Sequence, residues 1–128
     1  MRITMPRFVI HEHHASHLHW DLRLELDNAL KSWAVPKQPP KTAGVKRLAI
    51  QVDDHQLSYI DFEGEIAEGS YGAGTVKIWD SGTFEIIERN KDKIEFTLNG
   101  KELKGIYCLV KFKKAGENQW LFFRKKSK

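Results

Sequence analysis

His13-His14-Ala15-Ser16-His17-Leu18-His19-Trp20-Asp21-Leu22-Arg23-Leu24-Glu25-Leu26 is the stretch on which the reading of this chain turns. From Leu18 to Leu26 it alternates strictly. Leu18, Trp20, Leu22, Leu24 and Leu26 are apolar, and His19, Asp21, Arg23 and Glu25 are polar. A period of two describes a half-buried β-strand, with one face on a core and the other carrying imidazole, carboxylate and guanidinium in a row. Two imidazoles and a carboxylate suit a divalent metal, and an arginine on the same face suits an anionic oxygen beside it. The pattern therefore points to metal-assisted chemistry on a phosphate.

Working outward, further β-like runs are separated by turn signals. Phe8-Val9-Ile10 opens the series, Asp27-Asn28 is a turn, and Leu30 to Val35 stops at Pro36. Residues 37–45, with Pro39, Pro40 and Gly44, read as a loop. Arg47 to His55 alternates again, with Leu48, Ile50 and Val52 assigned to the core face and Arg47, Gln51, Asp53 and His55 to the polar face. Tyr59 to Phe62, Thr75 to Trp79, Thr83 to Ile87, Ile94 to Leu98, Ile106 to Phe112 and Trp120 to Phe123 complete the set, with turns at Asp80-Ser81-Gly82 and Asn99-Gly100. No segment keeps a 3.6-residue apolar period, so little helix is expected. Short strands in one small domain must hide their edges, and the expectation is a single compact closed all-β barrel of about eight or nine strands. The polar strand faces would then put the active site on its outer surface.

The 128 residues, 41% hydrophobic and 30% charged, suit one soluble domain spanning 1–128. No apolar run approaches the roughly 20 residues that cross a bilayer, so no membrane partner is expected. Met1 to Arg7 lacks the features of a secretory signal. Cys108 is the single cysteine, which rules out an intrachain disulfide and favours a reducing, cytoplasmic setting. The net charge is +4. Lys111, Lys113, Lys114, Arg124, Lys125, Lys126 and Lys128 crowd the last strands and tail, a distribution that favours a polyanionic partner.

Five of the six histidines fall between residues 11 and 19. His13, His19 and Asp21 make a three-ligand set with positions left open for water and substrate, the plainer alternative being a polar surface cluster. Arg23 sits roughly 7 Å along the strand from Asp21, a spacing that suits a phosphate between metal and guanidinium; as an alternative, it pairs with a neighbouring carboxylate. Arg47, His55 and Lys37 are further candidates for an anion pocket, His55 also for acid catalysis because it titrates near neutrality. Gly69-Ser70-Tyr71-Gly72-Ala73-Gly74 lacks the lysine–hydroxyl pair and following helix of a phosphate loop and reads as a turn or bulge. Ser16 and Ser32 fit no nucleophile motif. Cys108 reads as core, and Trp33, Trp79 and Trp120 as core or barrel rim. Two rivals use the same residues: a facial-triad iron oxygenase, recognised by dependence on iron and oxygen, and a non-catalytic nucleic-acid-binding barrel, recognised by tolerance of Asp21→Ala.

The chain closely resembles the 3′-phosphoesterase family, known as domains of bacterial DNA ligase D and as free-standing relatives. The resemblance rests on Phe8-Val9-Ile10, His13-x5-His19-x-Asp21-x-Arg23-Leu24-Glu25-Leu26-Asp27, Leu30-Lys31-Ser32-Trp33-Ala34-Val35-Pro36-Lys37, Asp53-Asp54-His55 and Glu68-Gly69-x-Tyr71-Gly72-Ala73-Gly74-Thr75-Val76, in order between Phe8 and Phe123. It implies a β-barrel and a manganese-dependent hydrolase, zinc or cobalt being other divalent cations to consider. Such an enzyme removes a 3′-terminal ribonucleoside and hydrolyses the resulting 3′-phosphate to a 3′-hydroxyl, at DNA or DNA/RNA primer–template ends. It implies metal ligands at His13, His19 and Asp21, and phosphate-handling and catalytic positions at Arg23, Lys37, Arg47, His55 and Tyr59. Asp53 is a further acidic position. Two departures stand out: His11 where the family carries glutamine, as a polar contact or an extra ligand, and Trp20 for tyrosine on the buried face. Little precedes Phe8, where ligase-fused relatives carry a charged arm, so ribonucleoside removal is expected to be weaker than phosphate removal. Ligase and polymerase activities are expected from separate proteins.

Overall fold

In the computed structural model, which describes residues 5–69 and 72–126, nine antiparallel strands form one sheet in the order β1-β2-β3-β4-β9-β8-β7-β6-β5. They are β1 (Arg7–His14), β2 (Leu18–Leu26), β3 (Ala29–Val35), β4 (Lys46–His55), β5 (Gly64–Ile66), β6 (Gly74–Asn90), β7 (Lys93–Asn99), β8 (Lys104–Lys111) and β9 (Gln119–Arg124). β1 also pairs with β6, so eight strands close into a barrel and β5 joins β6 as an extra one. The all-β barrel expected from the strand count is the observed architecture. Helix among the described residues is limited to two 3-10 turns, Leu57–Asp61 and Lys113–Ala115.

The interior is filled by the apolar side of the alternation. Phe8, Ile10, Leu22 and Leu24 from β1 and β2 meet Trp33, Phe84, Phe96, Leu98, Tyr107, Leu109, Trp120 and Phe122. Phe122 stacks against both Phe96 and Tyr107, and Trp33 meets Trp120 edge-on at 5.9 Å. Cys108 is buried, as expected. The β2–β3 hairpin closes through Asp27 and Asn28, both with positive φ (57° and 62°), the backbone a two-residue turn needs to match strand twist.

Three local expectations are corrected. Tyr59 to Phe62 is not a strand: Leu57–Asp61 is a 3-10 turn. Its Ile60 packs on Val9 and Leu30 outside the barrel. Thr75 to Trp79 and Thr83 to Ile87 are halves of one strand, β6, because Asp80 does not turn the chain. Its buried carboxylate instead accepts the backbone N–H groups of Ser81, Lys101 and Leu103, stitching β6 to the β7–β8 loop. On β4 the faces are reversed. Ala49 lies opposite Trp120 inside the barrel, Gln51 accepts the Trp120 indole N–H, and Leu48 is exposed.

The glycine cluster is a turn leading into β6. Gly74, with φ +126°, has the His14 carbonyl oxygen where a Cβ would stand, so only glycine fits there. Ser70 and Tyr71 of that cluster lie outside the described residues, as do the residues 1–4 of the N-terminal reading and Lys128 of the basic tail. The remaining basic residues do not form one patch. Lys111 and Lys113 border the barrel end near Gln51, Arg124 reaches the Lys104 carbonyl, and Lys125 pairs with Glu95. No helix among the described residues is long and apolar enough to cross a membrane.

Candidate active site

The strand register lays out the outer face of the barrel as rows. His13 on β1 lies opposite His19 on β2, His11 opposite Asp21, and Val9 opposite Arg23. On the far side of β2, Asp21 faces Ala34 and Arg23 faces Ser32. Residues directly opposite in an antiparallel pair project to the same side, so alternation brings the polar residues of β1 and β2 together. The expected outer placement holds, but the expected exposure does not. His11, His13, Asp21 and Arg23 are all buried, because the 57–61 turn packs over β1 and β3 and the 72–73 backbone lies against His13.

His13, His19 and Asp21 each offer one ligand atom, all within 4.8 Å of one another. His19 Nε2 stands 3.2 Å and His13 Nδ1 3.7 Å from Asp21 Oδ2. Each imidazole uses its other nitrogen on a backbone carbonyl: His13 Nε2 donates to Ala73 O and His19 Nδ1 to His17 O, both at 3.2 Å. Those bonds leave the remaining ring nitrogen of each histidine facing the carboxylate, the nitrogen that would carry the lone pair to a metal. Two nitrogens and one oxygen suit a first-row divalent cation, so the residues fit the implied metal. Without a cation, hydrogen bonding to Asp21 holds the His19 pKa above its ordinary value. Burial would raise the Asp21 pKa, but His19 and Arg23 outweigh it and keep the carboxyl ionised.

Arg23 is buried and held on every side. Nε donates to His11 Nδ1 (3.0 Å), Nη1 to Ser32 Oγ (2.8 Å) and to His55 Nδ1 (3.1 Å), and Nη2 to Asp21 Oδ2 (3.3 Å). The Tyr59 ring lies 5.0 Å from the guanidinium carbon and stacks on Phe62. Burial, helped by Arg23, pushes the His11 pKa down to about 4 and lowers that of His55, so both rings are neutral at pH 7. Since Arg23 only donates, His55 keeps its ring hydrogen on Nε2. Burial also raises the Tyr59 pKa, leaving the phenol protonated. The triad, Arg23, His55 and Tyr59 share one open cavity of about 480 Å³.

The sequence profile of the DNA ligase D 3′-phosphoesterase domain matches residues 11–111. The chain belongs to that family. It is 45% identical over 126 residues to the multifunctional non-homologous end joining protein LigD of Pseudomonas aeruginosa, covering 94% of this chain and 15% of that protein. Identity to the LigD proteins of Mycobacterium tuberculosis and Mycolicibacterium smegmatis is 44% over 124 and 131 residues, with 94% of this chain and 16% and 17% of theirs. The chain thus spans about a sixth of the relatives it matches.

Not every candidate of this 3′-phosphoesterase domain lies on the cavity wall. A bulge between the Ser32–Val52 and Leu30–His55 pairs shifts the parity of β4, so His55 faces the site while Asp53 is exposed beside it. Arg47, opposite Phe122, donates to the Gln38 carbonyl at the barrel end. Lys37 is exposed two residues beyond Val35, the partner of Trp20, near the His19 end of β2. His11 contacts Arg23 and stands outside the three-residue ligand group. Sequence reasoning missed Ser32, which donates to Leu30 O while accepting from Arg23; a hydroxyl amid apolar neighbours on a strand was its signal. The Ala73 carbonyl was not legible, since it acts through backbone alone.

Proposed function

We propose that this 3′-phosphoesterase domain is a metal-dependent hydrolase of DNA 3′ ends, converting a 3′-phosphate to a 3′-hydroxyl and removing a 3′-terminal ribonucleoside in DNA repair. One observation carries the reading. Asp21 Oδ2 faces both histidine ligand atoms and the Arg23 guanidinium, so a cation site and a fixed positive charge adjoin across a single oxygen. A bound divalent cation, manganese first and zinc or cobalt as alternatives, would supply Lewis-acid polarisation of a phosphoryl oxygen. Arg23 neutralises charge on the phosphate oxygens, and its four tethers mean that it need not reorganise as that charge develops. His55 presents Nε2–H and Tyr59 its phenol as neutral donors to phosphoryl or leaving oxygens. In hydrolysis the water oxygen bonds to phosphorus, the P–O bond to the leaving group breaks, and the leaving oxygen gains a proton. Lys37 and Arg47 act from the rim once a nucleic-acid end is seated, and Asp53 and His11 support His55 and Arg23. The substrate is a DNA or DNA/RNA primer–template end in the cytoplasm.

The deciding assay is a labelled duplex with a recessed 3′-phosphate, incubated with manganese or with chelator. Conversion to 3′-hydroxyl in manganese, lost on chelation and in Asp21→Asn, is the expected result. An inert wild-type protein across manganese, zinc and cobalt would overturn the proposal.

A further inference from the structure

β4 turns its large aliphatic side chains away from the barrel. The interior already holds Trp33 and Trp120 edge to face, and the residue that β4 places opposite Trp120 is Ala49. Leu48, Ile50 and Val52 therefore project outward; Leu48 is 37% exposed and the other two are half-buried. In the register Ile50 faces Ala34, which faces Asp21, and Val52 faces Ser32, which faces Arg23. Neighbouring strands lie about 4.8 Å apart, so an apolar shelf begins one strand from the carboxylate. Ala34 and Val52 line the same cavity as the histidines and Arg23. At about 480 Å³, that cavity matches sites enclosing a whole small molecule, roughly 300–1,000 Å³, far more than a phosphate fills.

We infer that the shelf of Ala34 and Val52 on the cavity wall, continued beyond it by Ile50 and Leu48, seats the terminal ribonucleoside that leaves when the 3′ end is cleaved. The inference rests on the phosphoesterase reading and adds to it the place where the leaving group is held. A ligand reaching from Arg23 and the histidines to Ala34 and Val52 meets cationic or metal-binding groups at one end and aliphatic ones at the other, as a nucleoside joined to its phosphate would. Water oxygen bonds to phosphorus, the bond from phosphorus to the nucleoside O5′ breaks, O5′ takes a proton, and the strand keeps a 3′-phosphate. The shelf side chains carry no hydrogen-bonding groups, so all four bases are held alike.

The test uses two duplexes in manganese, identical except that the terminal ribonucleotide carries a base or is an abasic ribose. For the wild-type protein the base-bearing end should show a KM about tenfold lower, from the apolar area the base covers. Val52→Thr, on the cavity wall, should bring that ratio towards one, with Ile50→Thr and Leu48→Thr acting in the same direction but less, and manganese binding followed by electron paramagnetic resonance reports that the site remains folded. Leu48 is exposed, so its variant is the one expected to keep full stability. Equal KM values for the two ends in the wild type, or variants that slow both ends equally as loss of a protein-docking face would, overturn the shelf and leave the phosphoesterase reading standing. Release from neither end while a 3′-phosphate is still hydrolysed overturns the shelf alone; loss of both reactions overturns the phosphoesterase reading as well.

Discussion

Arg23 Nη2 and His19 Nε2 converge on one atom, Asp21 Oδ2, at 3.3 and 3.2 Å. Removing Asp21 thus strips the ligand set and leaves a buried guanidinium without its carboxylate. Asp21→Ala should abolish turnover and lower stability by about 3–5 kcal/mol, the cost of breaking a buried ion pair. Asp21→Asn keeps an oxygen for Arg23 and should lose activity with less destabilisation. Thermal melts beside the 3′-phosphate assay check this; an Asp21→Ala protein as stable as wild type would refute the shared role of that oxygen.

Arg23→Lys retains charge but not the planar fork that reaches His11, Ser32, His55 and Asp21 at once. Turnover should fall by about a hundredfold or more, while manganese stoichiometry stays near that of wild type. Ser32→Ala should cost far less, on the order of 1 kcal/mol in transition-state stabilisation, because Nη1 still reaches His55. Equal losses in the two variants would contradict this ranking.

The pH dependence has a definite sign. His11 titrates at 6.5 when unfolded and at about 4 in the barrel, so between those values the unfolded chain binds a proton that the native chain does not. Stability from this residue is intact above pH 6.5 and is lost as pH falls towards 4. His11→Gln has no such group, and its side-chain oxygen can accept from Arg23. Denaturant titrations of both proteins at pH 7 and pH 5 should show a smaller acid loss for the variant; identical losses would mean that His11 does not titrate this way.

Asp80 governs the barrel rather than the chemistry. It is buried and serves three backbone donors, those of Ser81, Lys101 and Leu103. Asp80→Ala should lower stability by about 2–4 kcal/mol with kcat near wild type at a temperature where the variant is folded. A selective loss of kcat would place Asp80 in the site instead.

The barrel and the meeting of His13, His19 and Asp21 were legible because both depend on strand alternation, which β2 keeps without a break. Four features were not. Alternation on β4 does not say which face turns inward, and the bulk of Trp33 and Trp120 decided it from across the barrel. The bulge that brings His55 round while leaving Asp53 outside leaves no mark in a period of two. Asp80-Ser81-Gly82 has turn composition, yet the Asp80 carboxylate is spent on a loop twenty residues away. The burial of Arg23 came from the 57–61 turn, a segment too short for periodicity to separate strand from 3-10 helix.

The β1–β6 seam ties assembly of the site to the last long-range event of folding. His11 and His13 sit on β1, whose second neighbour, residues 75–83 of β6, lies some sixty positions later in the chain. Pairings so far apart in sequence form slowly, after the local hairpins. The β1–β2–β3 meander pairs locally and already sets His13 beside His19, Asp21 and Arg23, but it lacks the Ala73 carbonyl that orients the His13 ring. A cation site there would gain its full grip only when the cylinder shuts, and a stopped-flow record of manganese uptake would time its closing.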